Sequence, residues 1–129
     1  MKRIYKNLIL TAFVSLTKIN KNLYDDPILG KYHTLIVVSL LLFLNYFSFI
    51  NILAFYKILP SDTKYFLIFG GLVILGLHIY YLIIRNFFSF FLKDLDKINF
   101  TNYIVFIFYL LITIYFAYYS GDLLRSSIL

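Results

Sequence analysis

Two side chains in the stretch GGLVILGLHIYYLIIRNFFSFFLKD, residues 70–94, have chemistry to offer: the imidazole of His78 and the guanidinium of Arg85. An imidazole can change charge in the physiological range, so His78 is a candidate proton relay or ligand-sensing group. Arg85 is a candidate binder of an anionic ligand or lipid headgroup. Each also has a plainer reading. A neutral His78 hydrogen-bonded to Asn45 or Tyr109 would fix helix register, at roughly 1 kcal/mol per bond. Arg85 would anchor the membrane border, its head snorkelling to phosphates. The plainer reading is the stronger for both, because Glu is absent and every Asp lies in a loop or terminus. No carboxylate at membrane depth is there to pair with His78, which counts against an ion-coupled carrier.

Angular position sharpens this. At about 100° per residue, Gly71, His78, Arg85 and Ser89 fall within roughly 40° of one line. On a following run Asn102, Phe106, Tyr109, Thr113, Ala117 and Ser120 form one stripe, and on a preceding run Asn45, Ser48 and Asn51 spread about an arc centred on Ser48. The expected intramembrane polar cluster is therefore His78, Asn45, Tyr109 and Arg85, with Gly71, Ser48 and Thr113 on the helix-packing faces. His78 lies near mid-membrane, level with Asn45 and Tyr109, only if its helix continues to Leu92.

Other chemistries are excluded or weak. There is no Cys, which removes disulfides and thiolate sites. His33 and His78 are far apart with no acid beside them, so no metal site is expected. Asp25 and Asp26 precede Pro27, and Asp94 and Asp96 flank a helix start, so capping explains both pairs. No Ser-His-Asp spacing or phosphate-binding glycine loop is present. The expectation is a protein that is not an enzyme and carries no cofactor or metal.

The elements that must hold these residues follow from composition and charge. A chain of 129 residues that is 62% hydrophobic and 14% charged has too little polar surface to cover a soluble domain. Three charge-free runs, Tyr32 to Tyr56, Tyr65 to Ile84 and Ile98 to Gly121, each reach the roughly 20 residues a membrane-crossing helix needs. The reading is an all-α membrane protein, one domain over residues 1–129, with transmembrane helices at about 32–56, 65–90 and 98–121. Asp26-Pro27 suits a helix start that precedes the membrane. Pro60 stops the first helix, Ser61 or Asp62 caps the second, and Asn99 or Thr101 caps the third. The links are short, so consecutive helices should be antiparallel neighbours.

Residues 1–24 need a separate account. The opening MKRIYKNLILTAFVSL resembles a signal peptide in charge and apolarity, but no small-residue cleavage site follows. Ile4, Leu8, Ala12, Leu16, Ile19 and Leu23 make one stripe, with Arg3, Lys6, Asn7, Lys18 and Lys21 opposite. This predicts a basic amphipathic helix on the membrane surface.

Nine Lys and Arg lie in the N-terminal segment and second loop (Lys2, Arg3, Lys6, Lys18, Lys21, Lys31, Arg85, Lys93, Lys97), against three elsewhere (Lys57, Lys64, Arg125). That asymmetry puts the N-terminus in the cytoplasm and the C-terminus outside a bacterial cytoplasmic membrane. The net charge of +6 is spread in short segments beside apolar runs, so the expected partners are anionic membrane lipids and not nucleic acid. The functional expectation is a non-enzymatic interaction, accessory or immunity-type protein that meets a protein partner through its transmembrane helices. The alternative is a homo-oligomeric pore of holin or effector type, with the His78 and Arg85 face lining a channel. A small carrier or lipid-binding protein using Arg85 ranks third.

Overall fold

The computed structural model describes residues 2–19, 27–60, 62–86, 93 and 98–128. Among them the regular elements are helices: α1 (Lys2–Ile19), α2 (Pro27–Phe55), α3 (Lys64–His78, continued by a π-helical segment, Ile79–Ile84) and α4 (Phe100–Ile128). Three of these are long and apolar enough to cross a membrane, over Tyr32–Phe55, Lys64–Ile84 and Phe100–Ile128.

The helix ends show how local chemistry sets these bounds. Pro27 is the first residue of α2, where its fixed φ and missing N–H cost nothing. At the other end Lys57 adopts φ 58, and the N–H groups of Lys57 and Ile58 donate to Ala54 and Leu53 carbonyls at 3.0 and 2.9 Å. This left-handed turn closes the helix as a C-terminal glycine would, at a backbone cost of order 1–3 kcal/mol for lysine. The N-cap of α3 is Thr63, one residue beyond the expected caps, and its side chain makes no cap bond. Asp62 supplies the carboxylate instead, accepting from the Lys64 N–H at 3.3 Å; Ser61 lies outside the described residues. At α4, Asn99 and Asn102 cap reciprocally, each side chain accepting from the other's backbone N–H at 3.2 and 3.0 Å.

Among the described residues the second span runs to Ile84, and residues 87–90 of the expected range lie outside them. After His78 the bonding widens, so that the Arg85 N–H reaches back five residues to the Tyr80 carbonyl at 2.9 Å. Asn86 then takes φ 52, a left-handed conformation that Asn tolerates and that ends the helix. Residues 87–92 lie outside the described residues, as do Asp25, Asp26, Asp94, Asp96 and Ser89.

The centre of the bundle is α2, which packs on α1, α3 and α4. In its most apolar stretch 39% is buried, against 17% in α3 and in α4. The core joins Ile9, Leu10, Ala12 and Phe13 of α1 to Leu35, Val38 and Leu41 of α2, with Leu82 and Phe106 closing it. Leu82 is near the end of α3 and Phe106 in the second turn of α4, so α1 is seated where α3 finishes and α4 begins. The burial of α1 does not follow the expected stripe. Ile4 is exposed, while Ile9 to Phe13 are buried consecutively, which encloses the helix on all sides for more than a turn. Thr11 is part of that buried run, and its hydroxyl is satisfied locally by donating to the Asn7 carbonyl at 2.7 Å.

Contact between α2 and α3 depends on glycine. The Tyr46 ring lies where a side chain at Gly70 would be, and its hydroxyl donates to the Phe66 carbonyl at 2.7 Å. A Cβ at the neighbouring Gly71 would stand 3.1 Å from the Phe43 ring, a lesser conflict. Replacing Gly70 with Leu should therefore force Tyr46 out of place and destabilise the protein by about 1–3 kcal/mol. Loss of helicity in a detergent titration measures this, and Tyr46→Ala should recover part of the loss in the double variant. Gly71→Ala should cost less than Gly70→Ala.

Candidate functional site

The polar groups of the spans do meet inside the bundle, although not all of those expected. Asn45 of α2 donates through Nδ2 to the hydroxyl oxygen of Tyr109 on α4. Thr113, one turn further along α4, donates through Oγ1 to Asn45 Oδ1 at 3.3 Å. One amide thus uses both its ends to grip two residues four apart. Thr113 is fully buried, and Phe106, Ser120 and Leu124 share its face, so the polar stripe of α4 is its inner side. Ser48 is buried as well, its hydroxyl donating to the Leu44 carbonyl at 2.9 Å.

His78 is buried on the inner face of α3 but does not join this node. Its Nδ1 lies 2.8 Å from the Ile74 carbonyl oxygen. A carbonyl only accepts, so the proton of that bond belongs to Nδ1. The other ring nitrogen, Nε2, is buried without a hydrogen-bond partner among the described residues. Beside it stands Tyr5 of α1, with ring centroids 5.8 Å apart. Burial, with the nearby Tyr81 adding, pushes the Tyr5 hydroxyl up to about 12. The phenol therefore stays neutral, and a donor, at physiological pH.

Arg85 points elsewhere. It is exposed, its Nε donates to the Tyr80 hydroxyl at 3.1 Å, and its guanidinium lies 5.8 Å from the centroid of the Tyr80 ring. The line from Gly71 through His78 to Arg85 is broken because it crosses the π-helical segment, where seven residues no longer make two turns. Gly71 faces Phe43, His78 faces Tyr5, and Arg85 lies at the surface. His78 is the last residue before the π-helical segment that runs to Ile84.

A second feature lies between α1 and α4. An open cleft of about 890 Å³ has Arg3, Lys6 and Asn7 on one side and Asn99, Thr101 and Asn102 on the other. Its walls also include Ile4 and Leu8 of α1, Leu42 of α2, and Val105, Phe106 and Tyr109 of α4, so the cleft reaches the polar node. Periodicity alone places Arg3 and Lys6 only on the polar side of a surface helix. They share a cleft with the first turn of α4, a juxtaposition of the two ends of the chain that no local pattern encodes. Among the described residues no group of three His, Cys, Asp or Glu stands together as a metal set would.

No protein-family model, curated protein or solved structure matches this chain. Its functional reading rests on these contacts.

Two measurements check the site. A double-mutant cycle on Asn45→Leu and Tyr109→Phe should give a coupling of about 0.6 kcal/mol, and no more than about 1.7, as interhelical hydrogen bonds in membranes do. In native membranes His78→Cys should resist a water-soluble maleimide, while Arg85→Cys reacts readily.

Proposed function

We propose that the chain is a non-enzymatic interaction protein of a bacterial cytoplasmic membrane, of accessory or immunity type, with its N-terminus in the cytoplasm and its C-terminus outside. The observation that supports this reading is the disposition of α3 and α4. Both pack mainly on α2 and little on each other, and α1 bridges them only at the end where α3 stops. Their remaining surface is apolar and broad, from Phe69 and Leu72 on α3 to Phe108, Leu111 and Tyr115 on α4. Faces of this kind suit the helices of another membrane protein as well as lipid.

The inward turn of the polar groups supports the same reading. Asn45, Tyr109 and Thr113 satisfy one another within the chain, so they offer no polar face for a shared channel. A pore lined by the His78 and Arg85 face has less support, since these two residues do not share a surface. The Lys and Arg asymmetry supports the orientation. In this reading α1 holds the cytoplasmic end of the bundle together instead of lying free on the membrane.

Purification of the tagged, full-length protein from its own host in mild detergent should recover a second membrane protein in fixed ratio. Bulky polar substitutions on the outer faces, such as Leu72→Gln or Leu111→Gln, should lower that recovery while Asn45→Leu lowers stability instead. Recovery of the chain alone from crosslinked native membrane would end the proposal.

A further inference from the structure

The cleft between α1 and α4 combines a basic rim with an apolar wall, and the two halves together define an occupant. Arg3 is exposed and Lys6 half-buried at the rim, facing Asn99 and Thr101 at the start of α4. Below them on the same helix come Val105 and Tyr109. The ten residue steps from Asn99 to Tyr109 extend about 15 Å along the axis of α4, half the roughly 30 Å of bilayer hydrocarbon. A cleft that begins at the interface and stops at mid-membrane is one leaflet deep.

Its mouth faces sideways as well as outward. Ile4 and Val105, on opposite walls, are 75% and 61% exposed, so an acyl chain can enter from the bilayer without passing through water. The start of α4 is not the anion donor here, because Asn99 and Asn102 already cap it reciprocally. Recognition would fall to the two cations, assisted by Thr101. A soluble anion would use the rim alone and leave the apolar lower half wetted. A zwitterionic lipid would fill the lower half but bring a cation of its own to a rim that carries Arg3 and Lys6.

We propose that this cleft binds a single anionic phospholipid, with its phosphate at Arg3 and Lys6 and an acyl chain along Val105 towards Tyr109. The inference goes beyond the interaction role and does not depend on any protein partner. The proposed orientation decides only which leaflet supplies the lipid, and the cytoplasmic leaflet is the one rich in anionic headgroups.

The full-length protein, reconstituted in nanodiscs of phosphatidylcholine with or without phosphatidylglycerol, is released into neutral detergent and its retained lipid measured by native mass spectrometry. Phosphatidylglycerol should be retained in preference to phosphatidylcholine. The Arg3→Ala, Lys6→Ala double variant should lose that retention on the order of 30-fold, given the attraction each cation has for an anionic headgroup. Val105→Trp, which fills the mouth from an exposed position, should weaken retention with both cations in place. Thermal unfolding of each variant confirms that it is folded. Equal retention of the two lipids, or no effect of the double substitution in folded protein, overturns the proposal. So does displacement of the lipid by inorganic phosphate together with an inert Val105→Trp, which would make the rim a site for free phosphate.

Discussion

The amide of Asn45 lies between two apolar helices, and the fold depends on Tyr109 and Thr113 answering its hydrogen bonds. The energy involved is small, about 0.6 kcal/mol for an average interhelical bond. Its value lies in direction. An amide that must reach two side chains four residues apart on a neighbouring helix permits one rotation and one depth of α4 against α2. That rotation turns Phe106, Ser120 and Leu124 inward and leaves Phe108, Tyr115 and Tyr118 outward. The inner faces of α1 and α4, and the cleft between them, follow from that setting.

Between α2 and α3 a different device operates. Here backbone proximity replaces side-chain pairing, since Gly70 admits the Tyr46 ring and lets its hydroxyl reach the Phe66 carbonyl. The far end of α3 then widens into the π-helical segment. Wider turns bring residues four apart closer to one line, which keeps His78 and Leu82 together on the buried face. The same widening swings Arg85 out to the surface. One irregularity thus accounts for a histidine and an arginine, aligned by regular helical spacing, ending in different environments.

What the sequence makes legible follows the range of the interactions involved. The three spans, the Pro27 start, the Asn99 cap and the inner stripe of α4 are local patterns of hydropathy and periodicity, and all can be read from neighbouring residues. The meeting of Asn45 with Tyr109 follows from matching their depths along two spans. By contrast, the π-helical turn has no proline or other marker residue within Ile79–Ile84, so the displacement of Arg85 is invisible to a count at 100° per residue. Tyr5 beside His78, and Arg3 and Lys6 beside Asn99, join residues from opposite ends of the chain. Periodicity assigns α1 a stripe, but its enclosure at Ile9 to Phe13 depends on the space available at one end of the other helices.

That space ties the energetics to the asymmetry of the molecule. Three buried polar atoms, Ser39 Oγ, Asn51 Nδ2 and His78 Nε2, have no partner among the described residues. Each such group costs about 1–3 kcal/mol, as much as or more than the Asn45 node returns. Polar contacts therefore specify how these helices sit without holding them together, and cohesion falls to van der Waals packing. The main cluster of buried apolar side chains lies where α1 enters, among Leu35, Val38, Leu82 and Phe106. At the opposite end α2 and α4 pass at Gly121, where an added Cβ would stand in ordinary van der Waals contact with Phe47 at 3.8 Å and Asn51 at 4.0 Å. The end closed by α1 thus carries both that cluster and the basic cleft. The outer faces of α3 and α4 beyond its reach stay exposed and apolar.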